Sequence, residues 1–408
     1  MKQIHQFCPE DKVLASGEII QRDFSYELQP FDELTVSFLN EVSLLLLKDH
    51  SFNRNPEIVS LGFWLRKANL LALQKENQNL LKNPNYRTHP LGLVFHIAPS
   101  NVDTIFLYSA GISLLMGNRN ITRISSQSTP VVDFILSCIR SCMARSEFAV
   151  FEQYFKVITY EHDEATSTFF SKNSDCRVIW GGDNTVNYFR SLPSSVQTKD
   201  IFFPNRVSYA IFKAKEFLKA SEKERQEVVH KFYNDAYVFD QMGCSSPKII
   251  YVFGTNAEKE KFLEVFYKDL DVITRERYSE HAAGLSTIKF NALAGDVISH
   301  DVIQVKRDDS TIYLLEVKTN EMPDFNCGGG YFYVKHLQEL KEIKSDIFSN
   351  SQTLAYFGLD AKELDALHTA LKGKRIDRIV PVGEALSFHY IWDGINLFDE
   401  LSRKRFMK

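Results

Sequence analysis

The chain has 408 residues, 44% hydrophobic and 25% charged, the balance of a folded protein long enough for two or three domains. A formal net charge of −4 leaves no concentrated basic surface for phosphates and argues against nucleic acid as a partner. The longest uncharged run, 104–118, is shorter than the ~20 residues a bilayer span needs, and glycines interrupt it. The N-terminal stretch MKQIHQFCPEDKVLASGE has no apolar h-region, so no signal peptide is visible and a cytoplasmic protein is expected.

Residues 1–85 read as a cap followed by helices. FDELTVSFLNEVSLLLLKDH and IVSLGFWLRKANLLALQKENQNLL both carry apolar residues at helical spacing, and KNPNYRTHP then breaks helix. From Leu91 strands and helices alternate. LGLVFHIA is a strand, and PSNVDTIFLYSAGISLLMGN is a helix capped near Ser100 or Asn101 and ended around Gly117 and Asn118. NITRIS, YFKVITYE and CRVIWGG are further strands, with helices over 130–144, near 163–171 and over 184–191. Such alternation predicts a doubly wound parallel sheet, which binds ligands at the carboxyl ends of its strands. A second α/β region starts near residue 200, with strands VSYAIFK, PKIIYVFG and TIYLLEVK, helices KERQEVVHKFYNDAYVF and NAEKEKFLEVFYKDL, and a triple glycine at 328–330. Two lobes with a cleft between them are expected. The 32 Phe and 17 Tyr suit either aromatic cores or a greasy substrate.

The cysteines Cys8, Cys138, Cys142, Cys176, Cys244 and Cys327 are scattered without a CxxC pair, so thiols rather than disulfides are expected. No HxH or HExxH occurs among the histidines, and no metal site is expected. Four loops after strands could carry chemistry. In HIAPSNVDT, the Asn101 amide at a helix N-terminus reads either as an N-cap or as a donor to a developing oxyanion. In TRISSQSTP, Arg123, Ser125 and Ser126 read as a surface turn or as a contact for a ribose or 2′-phosphate. In WGGDNTV, Gly181 and Gly182 would let backbone approach a phosphate or ring. In QMGCSSP, Cys244 is either an inert core residue or a nucleophile.

Together these segments resemble the aldehyde dehydrogenase superfamily, specifically its LuxC-type acyl-CoA (long-chain fatty acid) reductase branch. HPLGLVFHIAPSNVDTIFLYSAGISLLMGNRNITRISSQSTP is similar to the family's strand, P-x-N loop, apolar helix and basic strand end. RVIWGGDNTV resembles the branch's W-G-G stretch, FDQMGCSSPKIIYVFG its Q-x-x-C-S-x-P nucleophile segment, and RIVPVGEALSFHYIWDGINL its I-W-D-G ending. The resemblance runs from about residue 88 to 400.

The resemblance implies two Rossmann-like doubly wound lobes. Residues 1–203 would be a nicotinamide-binding domain with N-terminal helices, 204–385 a catalytic domain, and 386–408 a packing or oligomerisation segment. Cys244 would attack an acyl-CoA or acyl-protein thioester, a nicotinamide would reduce the S-acyl enzyme to an aldehyde, and Asn101 with the Cys244 N–H would form the oxyanion hole. Ala98, Pro99, Ser100, Arg123, Ser125, Ser126, Gly181 and Gly182 would contact the cofactor. Ser126 stands near a position where NAD-preferring relatives carry a glutamate, which makes NADPH the expected cofactor and NADH the alternative. Two positions depart from the family. Phe202 or Phe203 falls where hydrolytic relatives carry a general base, leaving His96 as a candidate base or a structural histidine. NCGGGYFYV replaces a glutamate-bearing segment, so that only Gly329 and Gly330 remain for the ribose contact. Trp392 and Asp393 read as structural. An acyl-protein synthetase or acyl-activating ligase partner and a homodimer or homotetramer are implied. The alternatives are a CoA-acylating aldehyde dehydrogenase and a non-reducing acyl-carrier subunit.

Overall fold

The computed structural model describes residues 3–20, 27–52, 55–278, 283–299, 301–308, 310–318 and 327–407. The chain forms two units, Met1–Asn205 with Phe388–Lys408, and Arg206–Ser387.

The first unit contains β1 (Ile4–Cys8), β2 (Lys12–Leu14), β3 (Tyr86–Pro90), β4 (Leu93–Ile97), β5 (Arg119–Arg123), β6 (Phe155–Thr159), β7 (Cys176–Trp180) and β8 (Lys199–Phe203). Strands β4 to β8 run parallel in the spatial order β6-β5-β4-β7-β8. This is the dinucleotide-fold order, and its direction of winding reverses between β4 and β7. Every residue of β4, β6 and β7 is buried, because helices cover both faces of such a sheet. Strand β1 adds antiparallel to β6, and β2 to β1. The sequence reading has only a cap there: β1 turns Ile4, Gln6 and Cys8 inward, and the buried glutamine hides the apolar alternation.

The apolar helix Ile105–Leu115 is buried along its whole length, but its N-cap is Thr104, not Ser100 or Asn101. Residues 101–104 turn first, because the Asp103 carboxylate accepts the Thr129 hydroxyl at 2.6 Å and so fixes the chain ahead of the helix. The helix ends at Gly117, whose φ of +79° is left-handed and whose Cβ would lie 2.5 Å from the Leu28 carbonyl, so glycine is required.

The second unit contains β9 (Val207–Lys213), β10 (Pro247–Phe253), β11 (Val302–Arg307), β12 (Tyr313–Val317), β13 (Tyr331–Leu337), β14 (Ser351–Phe357) and β15 (Arg378–Pro381), in the order β11-β12-β13-β10-β9-β14-β15. All neighbours are parallel except β11 with β12. Alternate β9 residues feed two cores: Tyr209 and Ile211 on one face, Ala210 and Phe212 on the other. Helices Glu222–Tyr237 and Asn256–Arg277 begin with capping boxes, Ser221 with Glu224 and Thr255 with Glu258. They lay Phe232, Phe262 and Phe266 against Phe212, all fully buried, so this part of the phenylalanine surplus is core.

After the second unit the chain returns to the first as β16 (Ile391–Trp392), β17 (Ile395–Asn396) and β18 (Ser402–Phe406). Strand β18 pairs antiparallel with β3. Trp392 is buried against Tyr108 and Trp180, and Asp393 takes φ +51° in the turn before β17. No helix among the described residues is long and apolar enough to cross a membrane. No cysteine is in a disulfide, and Cys138 and Cys142 are core positions of the helix Pro130–Met143.

Candidate active site

In the first unit, β4 leads into Ala98, Pro99, Ser100 and Asn101, β5 into Ser125 and Ser126, and β7 into Gly181 and Gly182. Since β4, β5 and β7 are parallel, these segments, with Arg123 at the end of β5, share one sheet edge and include the point where the winding reverses. Asn101 is exposed. Two residues on, the Asp103 N–H faces the Glu57 carboxyl. Burial first, then the Asp103 charge, push the Glu57 carboxyl up to about 8.

The Arg123 guanidinium lies 4.6 Å from the centre of the Tyr160 ring and donates to the Tyr160 carbonyl at 3.2 Å, while its buried Nε–H has no partner. Ser125 is half-buried and Ser126 exposed beside it. Gly182 is the N-cap of the helix Asp183–Ser191. A dinucleotide suits this edge: an Arg with an unused N–H and two hydroxyls at the end of one strand, and a glycine pair opening a helix at the end of another.

His96 is enclosed in this unit. Its Nδ1 lies 2.8 Å from Ser109 Oγ, and its Nε2 lies 2.9 Å from Asn120 Oδ1. Asn120 Oδ1 can only accept, so Nε2 carries the proton and Nδ1 accepts the serine hydroxyl. Ser109 in turn accepts the Trp180 indole N–H at 3.0 Å. Burial lowers the imidazole to about 4, against the opposing effect of its hydrogen bond to Asn120, so the ring is neutral. This is the geometry of a structural histidine, enclosed and with both ring nitrogens engaged, not that of a base. Phe203 stacks on Trp180 with ring centres 3.8 Å apart, and Arg190 covers the half-buried Phe202. Neither phenylalanine can move a proton.

In the second unit Cys244 lies between the helix Glu222–Tyr237 and β10. It is half-buried, whereas the other five cysteines are buried. The preceding residues Asp240 and Gln241 both take left-handed backbone, with φ +49° and +61°. The fully buried Gln241 side chain holds that bend. Its Nε2 donates to the carbonyls of Pro247 and Tyr331, and its Oε1 accepts the N–H groups of Gly330 and Tyr331, all at 2.9 Å. Lys248 donates to the Gln241 carbonyl. The triple glycine is explained by this crowding: a Cβ on Gly328 would lie 2.3 Å from the Asp240 carbonyl, and one on Gly330 2.1 Å from that of Thr311. Its place in the fold is a backbone clamp.

Two further side chains complete the setting. Ser208 donates to the Cys244 carbonyl at 2.7 Å and accepts the Thr353 N–H at 3.2 Å. The register of β14 against β9 shifts between Ser351 and Leu354, and Gln352 sits in that irregularity. Its Nε2 points at Cys244 Sγ from 3.5 Å, and its Oε1 accepts the Ser245 hydroxyl at 2.8 Å. These groups gather at the amino-terminal ends of β9, β10, β13 and β14. The candidate residues of the first unit thus stand at carboxyl ends of strands, whereas the Cys244 segment stands at amino-terminal ends. Sequence reasoning missed Ser208, Gln241, Ser245 and Gln352 as partners. Gln241 and Ser245 stand in the QMGCSSP segment itself, whereas Gln352, 108 positions from Cys244, carries no local signal.

The model of the acyl-CoA reductase (LuxC) family matches residues 74–404. The chain belongs to that family. It is an oxidoreductase of the aldehyde dehydrogenase type, and solved aldehyde dehydrogenases share its α/β fold with two parallel-sheet domains. A lactaldehyde dehydrogenase matches with TM-score 0.66 and 13% identity over 93% of this chain and 86% of its own. An NAD-dependent benzaldehyde dehydrogenase from Corynebacterium glutamicum matches with TM-score 0.64 and 13% identity over 98% and 93%. The glyceraldehyde-3-phosphate dehydrogenase GapN from Methanocaldococcus jannaschii, complexed with NADP, matches with TM-score 0.64 and 13% identity over 92% and 89%. No curated protein matches by sequence.

Proposed function

We propose that this family member reduces an acyl thioester to the aldehyde with NADPH, through an S-acyl intermediate on Cys244. The observation that carries the reading is a half-buried cysteine with an N–H donor aimed at its sulfur, in a chain of the acyl-CoA reductase family. The sulfur attacks the acyl carbonyl carbon, a C–S bond forms, and the carbonyl electrons move to oxygen. Collapse of that oxyanion expels the thiolate of CoA or of an acyl-carrying protein. The Asn101 amide and the Cys244 N–H are the donors assigned to the oxyanion.

When bound, NADPH supplies the hydride that takes the acyl group to the aldehyde level. Arg123, Ser125 and Ser126 would hold its adenosine ribose, and Ala98, Pro99, Ser100, Gly181 and Gly182 would line the rest. Ser126 places no carboxylate against a 2′-phosphate, which favours NADPH over NADH. With phenylalanines where hydrolytic relatives carry a base, water is not activated against the acyl-enzyme, which favours reduction over release of free acid. An acyl-activating ligase supplying the donor, and a homodimer or homotetramer, belong to the same reading.

The test is Cys244→Ala. Incubation with a long-chain acyl-CoA should no longer label the protein with the acyl group, and NADPH oxidation should fall to background. Turnover retained in that variant overturns the mechanism.

A further inference from the structure

With a phenylalanine where a base would stand, something else must make Cys244 nucleophilic. On the elements packed around Cys244, the charged groups include Lys213, which pairs with Glu363, Lys335, which pairs with Asp346, the buried Asp235, which accepts the Gly383 and Ala385 N–H groups, and Asp240, Lys248 and Arg206. The Asp240 carboxylate takes the Tyr278 hydroxyl at 2.7 Å, Lys248 turns to the Gln241 carbonyl, and Arg206 precedes β9. What the geometry does bring to the sulfur is an amide. From Gln352 and its surroundings we infer that the Gln352 side chain is the activating group of Cys244, donating its N–H to the sulfur and stabilising the thiolate. The inference rests on Cys244 being the nucleophile of the proposed reaction.

The amide is held in the orientation this requires. Gln352 is fully buried, and Ser245, the residue after the cysteine, donates its hydroxyl to Oε1 at 2.8 Å; Thr353 Oγ1 reaches the same oxygen at 3.4 Å. With its oxygen so engaged, the amide turns its nitrogen to Sγ at 3.5 Å. The register shift in β14 aims the side chain, and Ser208 braces both partners, through the Thr353 N–H and the Cys244 carbonyl. A hydrogen bond offered to the charged form favours that form. Unlike a histidine or lysine partner, an amide does not titrate, so the sulfur ionises in one step rather than as half of an ion pair.

The experiment uses the full chain and iodoacetamide, with Cys244 alkylation followed by mass spectrometry as a function of pH. The wild type should show a single ionisation. Gln352→Met, near-isosteric but without the donor, should move the midpoint upward and slow alkylation at pH 7 about tenfold. Ser245→Ala, which frees the amide to rotate, should move it the same way by less. An unmoved midpoint in Gln352→Met overturns the inference, as does a two-step wild-type profile. If Gln352→Met does not fold, an unmoved midpoint in Ser245→Ala does so instead. Neither acyl-CoA nor NADPH enters the assay. A protein that shows these shifts but reduces no thioester therefore refutes the proposed function and leaves the role of Gln352 standing.

Discussion

Gln241 and Tyr331 are joined in both directions: the glutamine amide donates to the Tyr331 carbonyl and accepts its N–H, each at 2.9 Å, as a neighbouring strand would. One buried side chain thus locks the bend before Cys244 to the start of β13. Gln241→Ala would strand two carbonyls and two N–H groups in the interior, at a cost on the order of 3 kcal/mol. Urea denaturation should show that loss. Gln241→Glu keeps the acceptor but sets a carboxylate against the Pro247 and Tyr331 carbonyls, so it should be no better tolerated than alanine at neutral pH. A glutamate variant as stable as wild type would refute the clamp.

Asn101 is exposed, three residues ahead of the Thr104 N-cap, and it does not cap the helix. Replacing it by alanine should leave the thermal midpoint almost unchanged. If its amide serves the oxyanion, kcat should fall roughly a hundredfold, with little change in cofactor affinity. A variant that loses stability and activity together would point to a structural role.

Ser126 is exposed beside the half-buried Ser125, just past the Arg123 guanidinium. If the cofactor's 2′-phosphate lies beside Ser126, as the proposed function has it, Ser126→Glu sets a carboxylate against it. Nicotinamide titrations should show NADPH affinity falling about tenfold or more, with NADH binding kept or improved. Equal losses for both cofactors would place the phosphate elsewhere.

The enclosed His96 gives stability a pH dependence of known sign. Its folded imidazole is lowered to about 4, chiefly by burial, against an ordinary 6.5 in the unfolded chain. Between those values the unfolded state binds a proton that the folded state does not. Stability is therefore complete above about pH 7 and falls as the pH drops, by on the order of 3 kcal/mol at pH 4. His96→Gln should flatten that part of the curve measured by urea unfolding from pH 7 to 4. Parallel curves for the two proteins would exclude His96 as the source.

Motif order along the chain was enough to name the family and the parallel sheet of the first unit. Strands such as LVFHI and CRVIW are read directly because a sheet covered on both faces favours near-continuous apolar runs, here interrupted only by His96 and Arg177. Strand β14 escaped that reading, since it opens on the polar Ser351, Gln352 and Thr353, buried only because Ser208, Tyr209 and Ser245 hydrogen-bond to them. The cap near Ser100 failed for a related reason: Thr129 and Glu57, far along the chain, hold Asp103 and delay the helix.

By itself, then, the sequence determined which residue types stand at the ends of strands, since periodicity and turn chemistry are local. It also determined that Cys244 lies in a polar bend before a buried strand. Only the tertiary structure decided that His96 is enclosed, that the triple glycine is a backbone clamp, and that Gln352 faces the sulfur. Hydrogen bonding and burial are set by residues tens to more than a hundred positions apart, and no local pattern encodes which of them will meet.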